Sequence, residues 1–128
     1  MRHRTNPAEG YTLIELLVVL AILALLLTLA VPRYFHSVDH AKETVLRENL
    51  RASREALGKF RADTGRYPDA LEELVARKYL TAIPIDPMTD SASSWVLVPP
   101  EDGSKGQVAD LRSSASGQGR DGRPFQTW

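Results

Sequence analysis

The 128-residue chain contains no cysteine. That excludes disulfide cross-links, thiolate zinc sites, iron–sulfur ligation and cysteine nucleophiles, and it leaves the redox compartment open, since a chain without thiols suits either poise. The chain also lacks a charge excess. Sixteen basic side chains face 16 acidic ones, which speaks against a strongly basic nucleic-acid binder and against an acidic disordered tail. Histidine is scarce, with His3 close to the start and only His36 and His40 elsewhere, so a Ser-His-Asp constellation has little to draw on. There is no G-x-S-x-G elbow and no Walker loop. His36 and His40 have the i,i+4 spacing of helical zinc ligands, but Ser37 stands where an H-E-x-x-H pattern needs its glutamate, and the acid between them is Asp39. Nothing here points to an enzyme.

Apolar side chains are abundant and unevenly placed. Residues 11–32 hold 18 of them, whereas residues 1–10 hold only Met1 and Ala8. From Leu13 to Val31 the run is 19 residues long and broken only by Glu15 and Thr28. As a helix rising 1.5 Å per residue it crosses most of a ~30 Å hydrocarbon core. A secretory signal peptide is the competing reading, with Arg2, His3 and Arg4 as its basic end. Such peptides have an apolar core of roughly 7–15 residues before a small-x-small cleavage site. This run is longer and ends at Ala30-Val31-Pro32-Arg33. A carboxylate three places into the run is its oddest feature, because an intramembrane acid needs a partner or a place near the interface.

The segment Gly10-Tyr11-Thr12-Leu13-Ile14-Glu15-Leu16 resembles the class III signal of type IV pilins and pseudopilins. The resemblance implies three parts: a leader over residues 1–10, a transmembrane and filament-core helix over 11–32, and a soluble periplasmic domain over 33–128. It implies cleavage between Gly10 and Tyr11 by a prepilin peptidase, followed by N-methylation of Tyr11. Tyr11 stands where phenylalanine is commoner. Glu15 and Pro32 fall at the fifth and twenty-second positions of the implied mature chain, where such proteins carry a glutamate and a helix-kinking proline. Each part has a physical reason. Gly10 has no side chain to obstruct a protease. Glu15 can pair with the α-amino group of a neighbouring subunit and so set axial register. Pro32 removes one helical hydrogen bond, so the helix should bend or loosen there.

Beyond Pro32, Val38, Ala41, Val45, Leu46, Leu50, Ser53, Leu57 and Phe60 recur at three- and four-residue steps, predicting one buried stripe on a helix that runs to about Ala62. Glu43 with Arg47, Arg51 with Glu55, and Glu55 with Lys59 are i,i+4 pairs on its other faces, each worth a few tenths of a kcal/mol. Asp63-Thr64-Gly65 stops this helix. Tyr67-Pro68-Asp69 starts a second, short helix, with Asp69 and Glu72 as a capping box, Leu71, Leu74 and Val75 inward, and an end near Lys78. Ile83-Pro84-Ile85-Asp86-Pro87 reads as an extended connection. Trp95 to Val98 and Gln107 to Arg112 read as two strands. Ser113 to Gly122 reads as a loop, with Phe125 and Trp128 available to hold the tail to the core.

This order is an α+β, pilin-like arrangement: a long N-terminal helix packed on a short helix and a small antiparallel sheet. Gly65-Arg66-Tyr67-Pro68, Leu80 to Pro87 and Asp110-Leu111-Arg112-Ser113 resemble the major pseudopilin of type II secretion systems in particular. That family holds calcium in a C-terminal loop through carbonyls, a serine and aspartates. Carried over, the matching groups are the Leu111 carbonyl, Ser113 or Ser114, and Asp121. The loop has one acid between Ser113 and Gly122 where the family often has two or more, and the competing reading of Asp121-Gly122 is a plain β-turn.

Residues 33–67 carry eight basic and five acidic side chains, and 68–128 carry six and nine. A basic stem and an acidic head could attract each other between subunits, or these charges simply face solvent. The resemblance implies a membrane-anchored structural subunit of a periplasmic pseudopilus that drives protein export. Its partners would be copies of itself, minor pseudopilins, the prepilin peptidase and an inner-membrane assembly platform. Its place would be the bacterial inner membrane, crossed once, with the C-terminal domain in the periplasm. The alternatives are a type IV minor pilin, a competence pseudopilin, or a signal-anchored periplasmic binding protein or calcium sensor that remains monomeric.

Overall fold

A computed structural model describes Gly10 and residues 12–128. The elements in chain order are helix α1 (Leu13–Thr64), helix α2 (Leu71–Ala76), strands β1 (Val96–Val98) and β2 (Asp110–Arg112), and a 3₁₀ turn at Phe125–Thr127. The chain divides into two compact units, residues 1–38 and 39–128.

In the first unit every described residue from Thr12 to Ser37 is exposed. This is the one helix among the described residues that is long and apolar enough to cross a membrane. The Thr28 hydroxyl, a polar group inside the apolar run, donates to the Ala24 carbonyl at 2.8 Å and so needs no other partner. The helix continues through Pro32. The expected loosening therefore takes the form of one missing rung, since Pro32 has no N–H for the Thr28 carbonyl.

The second unit is built on the second half of α1. Leu46, Leu50, Ser53, Ala56, Leu57 and Phe60 are buried, as the stripe requires, together with Glu43. Val45 and Ala41 of the expected stripe stay exposed. Against this face pack Leu71 and Leu74 of α2, then Trp95, Val108, Leu111, Ala115, Phe125 and Trp128. Gly65 ends α1 with φ +76°, and its N–H donates to the Arg61 carbonyl at 2.8 Å.

Helix α2 is capped differently from the Asp69–Glu72 expectation. Its N-cap residue Ala70 makes no side-chain cap bond, and it is the Glu73 carboxylate that accepts the Asp69 N–H at 3.0 Å. Glu73 is fixed in that position by Arg66, whose guanidinium it also accepts. The helix stops at Ala76 instead of near Lys78, because Lys78 turns to φ +64° and the Tyr79 and Leu80 N–H groups both donate to the Leu74 carbonyl.

The sheet is one antiparallel pair, with Val96 opposite Arg112, Leu97 opposite Leu111 and Val98 opposite Asp110. Both strands are shorter than expected. On the second, the Gln107 and Val108 N–H groups turn away from the ladder and donate to the Pro68 carbonyl at 3.1 and 3.0 Å. The proline-rich connection is irregular yet tightly held. Asn49 donates to the Ile85 carbonyl at 2.9 Å, and the Trp95 indole donates to the Pro84 carbonyl at 2.8 Å. The fully buried Asp86 accepts the Met88 N–H at 2.8 Å and the Ser113 hydroxyl at 2.5 Å.

Candidate functional site

Two groups of residues were singled out by the sequence, one at the head of α1 and one in the C-terminal loop. At the first, Gly10 is exposed with φ +84°, and a Cβ there would meet nothing within 4 Å. The backbone is open to an approaching partner on that residue. Residues 1–9 and Tyr11, the other half of the expected scissile bond, lie outside the described residues.

Glu15 is engaged, in a way the sequence reading missed. The Thr12 N–H donates to Glu15 Oε2 at 3.4 Å, and the Glu15 N–H donates to Thr12 Oγ1 at 3.2 Å. This is a reciprocal capping box that satisfies orphan amides of the first turn. Its signal, T-x-x-E directly before an apolar run, was present in the sequence. The negative carboxylate also sits at the positive end of the helix dipole. Within the lone chain Glu15 is thus stabilised by its own helix while remaining exposed to a second partner. Pro32 lies farther along the same exposed apolar segment.

The C-terminal groups are buried or bonded individually. The Leu111 carbonyl accepts the Arg54 guanidinium at 3.2 Å. The Ser113 hydroxyl donates to Asp86 and accepts the Ala115 N–H at 3.1 Å. The Ser114 carbonyl accepts from Gln126 at 3.4 Å. Asp121 accepts the Arg123 N–H at 3.0 Å and its Nε at 2.8 Å, with Arg47 at 3.6 Å. The Arg123 guanidinium first and its backbone N–H second hold the Asp121 carboxyl below its usual range. The residues as placed do not fit a calcium ion, which needs six to eight oxygens facing one point without competing cations. No cluster of three or more histidine and acidic side chains suited to a metal occurs among the described residues, and this covers His36 and His40 as well.

The division into basic stem and acidic head also has a use within the subunit. Arg47 with Asp121, Arg54 with Asp110, Arg61 with Asp102, and Arg66 with Glu73 all join residues 33–67 to residues 68–128 inside one chain. Glu43, expected to pair with Arg47 on the surface, is instead buried and accepts the Arg120 N–H at 2.9 Å.

Residues 6–31 match the prokaryotic N-terminal methylation motif. Type II secretion system core protein G of Pseudomonas aeruginosa is 35% identical over 95 residues, covering 62% of this chain and 67% of that protein. The protein of the same name from Klebsiella michiganensis is 29% identical over a 137-residue alignment covering 94% of this chain and 89% of its own length. The type IV major pilin protein PilA of Myxococcus xanthus is 35% identical over 72 residues, 56% of this chain and 33% of that pilin. No solved structure matches the chain.

Proposed function

The chain belongs to the family of type II secretion system core protein G, and from that premise we propose that it is a membrane-anchored, non-enzymatic pseudopilin that polymerises into a periplasmic fibre driving export of folded proteins. The observation that carries this reading is the exposure of α1 from Leu13 to Val31, where every apolar side chain of the run is open to its surroundings. Each leucine, isoleucine or valine of this run gains about 1.5–3 kcal/mol when it leaves water. The segment therefore requires lipid at one stage and neighbouring helices at another. A subunit contact that is heterologous and does not close on itself generates a filament.

In this reading residues 1–10 are removed by a prepilin peptidase on the cytoplasmic side, Tyr11 is methylated, and the domain stands in the periplasm. The Thr12–Glu15 capping box supports an inserted monomer, because the carboxylate enters the bilayer edge already hydrogen-bonded. On assembly Glu15 pairs with the terminal amine of the next subunit and sets its height in the fibre. Minor pseudopilins and an inner-membrane assembly platform complete the machine. The test is deletion of the gene, with secreted enzymes assayed in medium and periplasm and sheared surface fibres imaged. Cargo retained in the periplasm and restored by the intact gene is expected. Normal secretion with loss of surface pili would instead assign the chain to a type IV pilus.

A further inference from the structure

The C-terminal loop is tied to α1 by three side chains of that helix. Glu43, Arg47 and Arg54 lie at i, i+4 and i+11, within about 40° of one another at ~100° per residue. Glu43 accepts the Arg120 N–H at 2.9 Å. Arg47 covers the Trp128 ring at 4.6 Å from its centroid and stands 3.6 Å from the Asp121 carboxylate. Arg54 makes the densest contact. Its Nε donates to Asp110 Oδ1 at 2.8 Å, and its Nη2 donates to the Leu111 and Trp128 main-chain oxygens at 3.2 and 2.6 Å. One cation thus gathers a side-chain carboxylate and two main-chain oxygens from both ends of the loop.

That is the work the family resemblance would give to calcium, done on one of the same oxygens. A calcium ion bound there would share the Leu111 carbonyl with Arg54, and Asp121 with Arg47 and Arg123, and so would sit close to three repelling guanidinium charges. We propose that residues 113–128 close onto the domain through an arginine staple centred on Arg54, and that this closure is independent of calcium. The planar fork of arginine suits the role, because its fixed donors can serve several oxygens at once, which the single ammonium of lysine cannot. The inference concerns folding of residues 39–128 and is separable from fibre assembly.

The test uses the full chain in detergent micelles. Thermal unfolding is followed by tryptophan fluorescence from Trp95 and Trp128, and trypsin cleavage after the exposed Arg120 by mass spectrometry, each in EGTA and in millimolar calcium. The expected result is the same melting temperature and cleavage rate with and without calcium. Arg54→Ala and Arg54→Lys should both be cut about tenfold faster than the parent, because proteolysis follows the population of the opened loop. Arg51→Ala should match the parent, since among the described residues Arg51 bonds Glu48 and Glu55 of its own helix and nothing in the loop. A parent chain that melts higher or resists trypsin longer in calcium would overturn the proposal, since a ligand bound only by the folded state must stabilise it. Arg54 variants cut at the parental rate would overturn it equally. If Arg54→Ala does not fold, the calcium response of the parent and the cleavage of Arg54→Lys decide.

Discussion

Replacing Ser53 by alanine should stabilise this protein. Ser53 sits on the buried face of α1 between Leu50 and Leu57, is wholly inaccessible, and its hydroxyl has no hydrogen-bond partner among the described residues. An orphaned buried hydroxyl costs about 1–3 kcal/mol relative to its solvated state. Alanine also exceeds serine in helix propensity by roughly 0.5 kcal/mol. Against these gains stands the loss of one oxygen's packing contacts, about 0.5 kcal/mol for a handful of atom pairs. The net is a gain of about 1–3 kcal/mol. For the 90 residues from Asp39 to Trp128, each kcal/mol moves the melting temperature by ~4–8 °C, so a rise of roughly 4–24 °C is expected. Thr44→Ala is the control, because that hydroxyl is exposed and already bonded to the His40 carbonyl at 3.0 Å, and the change should stay within about 0.5 kcal/mol. Both are read by thermal melts of the full chain in micelles. A Ser53→Ala protein that melts at or below the parental temperature would show that the hydroxyl does have a partner, such as a trapped water, and the reasoning would fail.

Intact-mass spectrometry of the membrane form should find residues 1–10 lost and one methyl group gained at Tyr11; loss of a peptide ending near Ala30 would refute the anchor. Glu15→Leu should leave the chain processed and inserted but poor at joining fibres, read by crosslinking between anchored subunits, and undiminished crosslinking would remove Glu15 from register setting. Gly106→Ala should unfold the domain, because a Cβ there would lie 2.1 Å from the Tyr67 carbonyl oxygen at φ +104°. Gly65→Ala, at φ +76° with nothing within 4 Å, should cost only about 1–2 kcal/mol of backbone strain. Acid should weaken the fold through Glu73, whose carboxyl is held below its ordinary 4.5 chiefly by the Arg66 guanidinium and then by the Asp69 N–H. Its contribution is full above 4.5 and is lost as pH falls through the depressed native value, so Glu73→Gln should flatten that limb of a pH–stability curve.

How much of this was legible in the sequence follows from the distance over which each interaction acts. The stripe from Leu46 to Phe60 was readable because a helix repeats its buried face every three or four residues. The turn at Gly65 was readable for the same local reason. Glu43 was misread as a surface partner of Arg47, since the amide that it caps belongs to Arg120, 77 residues away. Strand ends depended on the Pro68 carbonyl, which competes for the Gln107 and Val108 amides and has no local signature. The Asp86–Ser113 pair and the three contacts of Arg54 are likewise long-range. At the head of α1 the reverse holds. The T-x-x-E spacing is local, and it alone suffices to specify the reciprocal bonds between Thr12 and Glu15.

The proline-rich connection from Ile83 to Pro87 has neither helix nor ladder, and by composition alone it would pass for a hinge. Its bonds say otherwise. The Asp86 N–H donates to the Ser91 carbonyl, the Met88 N–H to the Asp86 carboxylate, and the Asp90 N–H to the Asp86 carbonyl, at 3.0, 2.8 and 2.7 Å. Its own carbonyls are held by Asn49 from α1 and by the Trp95 indole. Releasing these amides to solvent means parting Asp86 from Ser113 in the core. Hydrogen exchange is therefore expected to find the amides of this irregular stretch as slow as those of the adjoining helix and sheet. A subunit drawn lengthwise by fibre growth would therefore transmit load through this connection instead of extending at it.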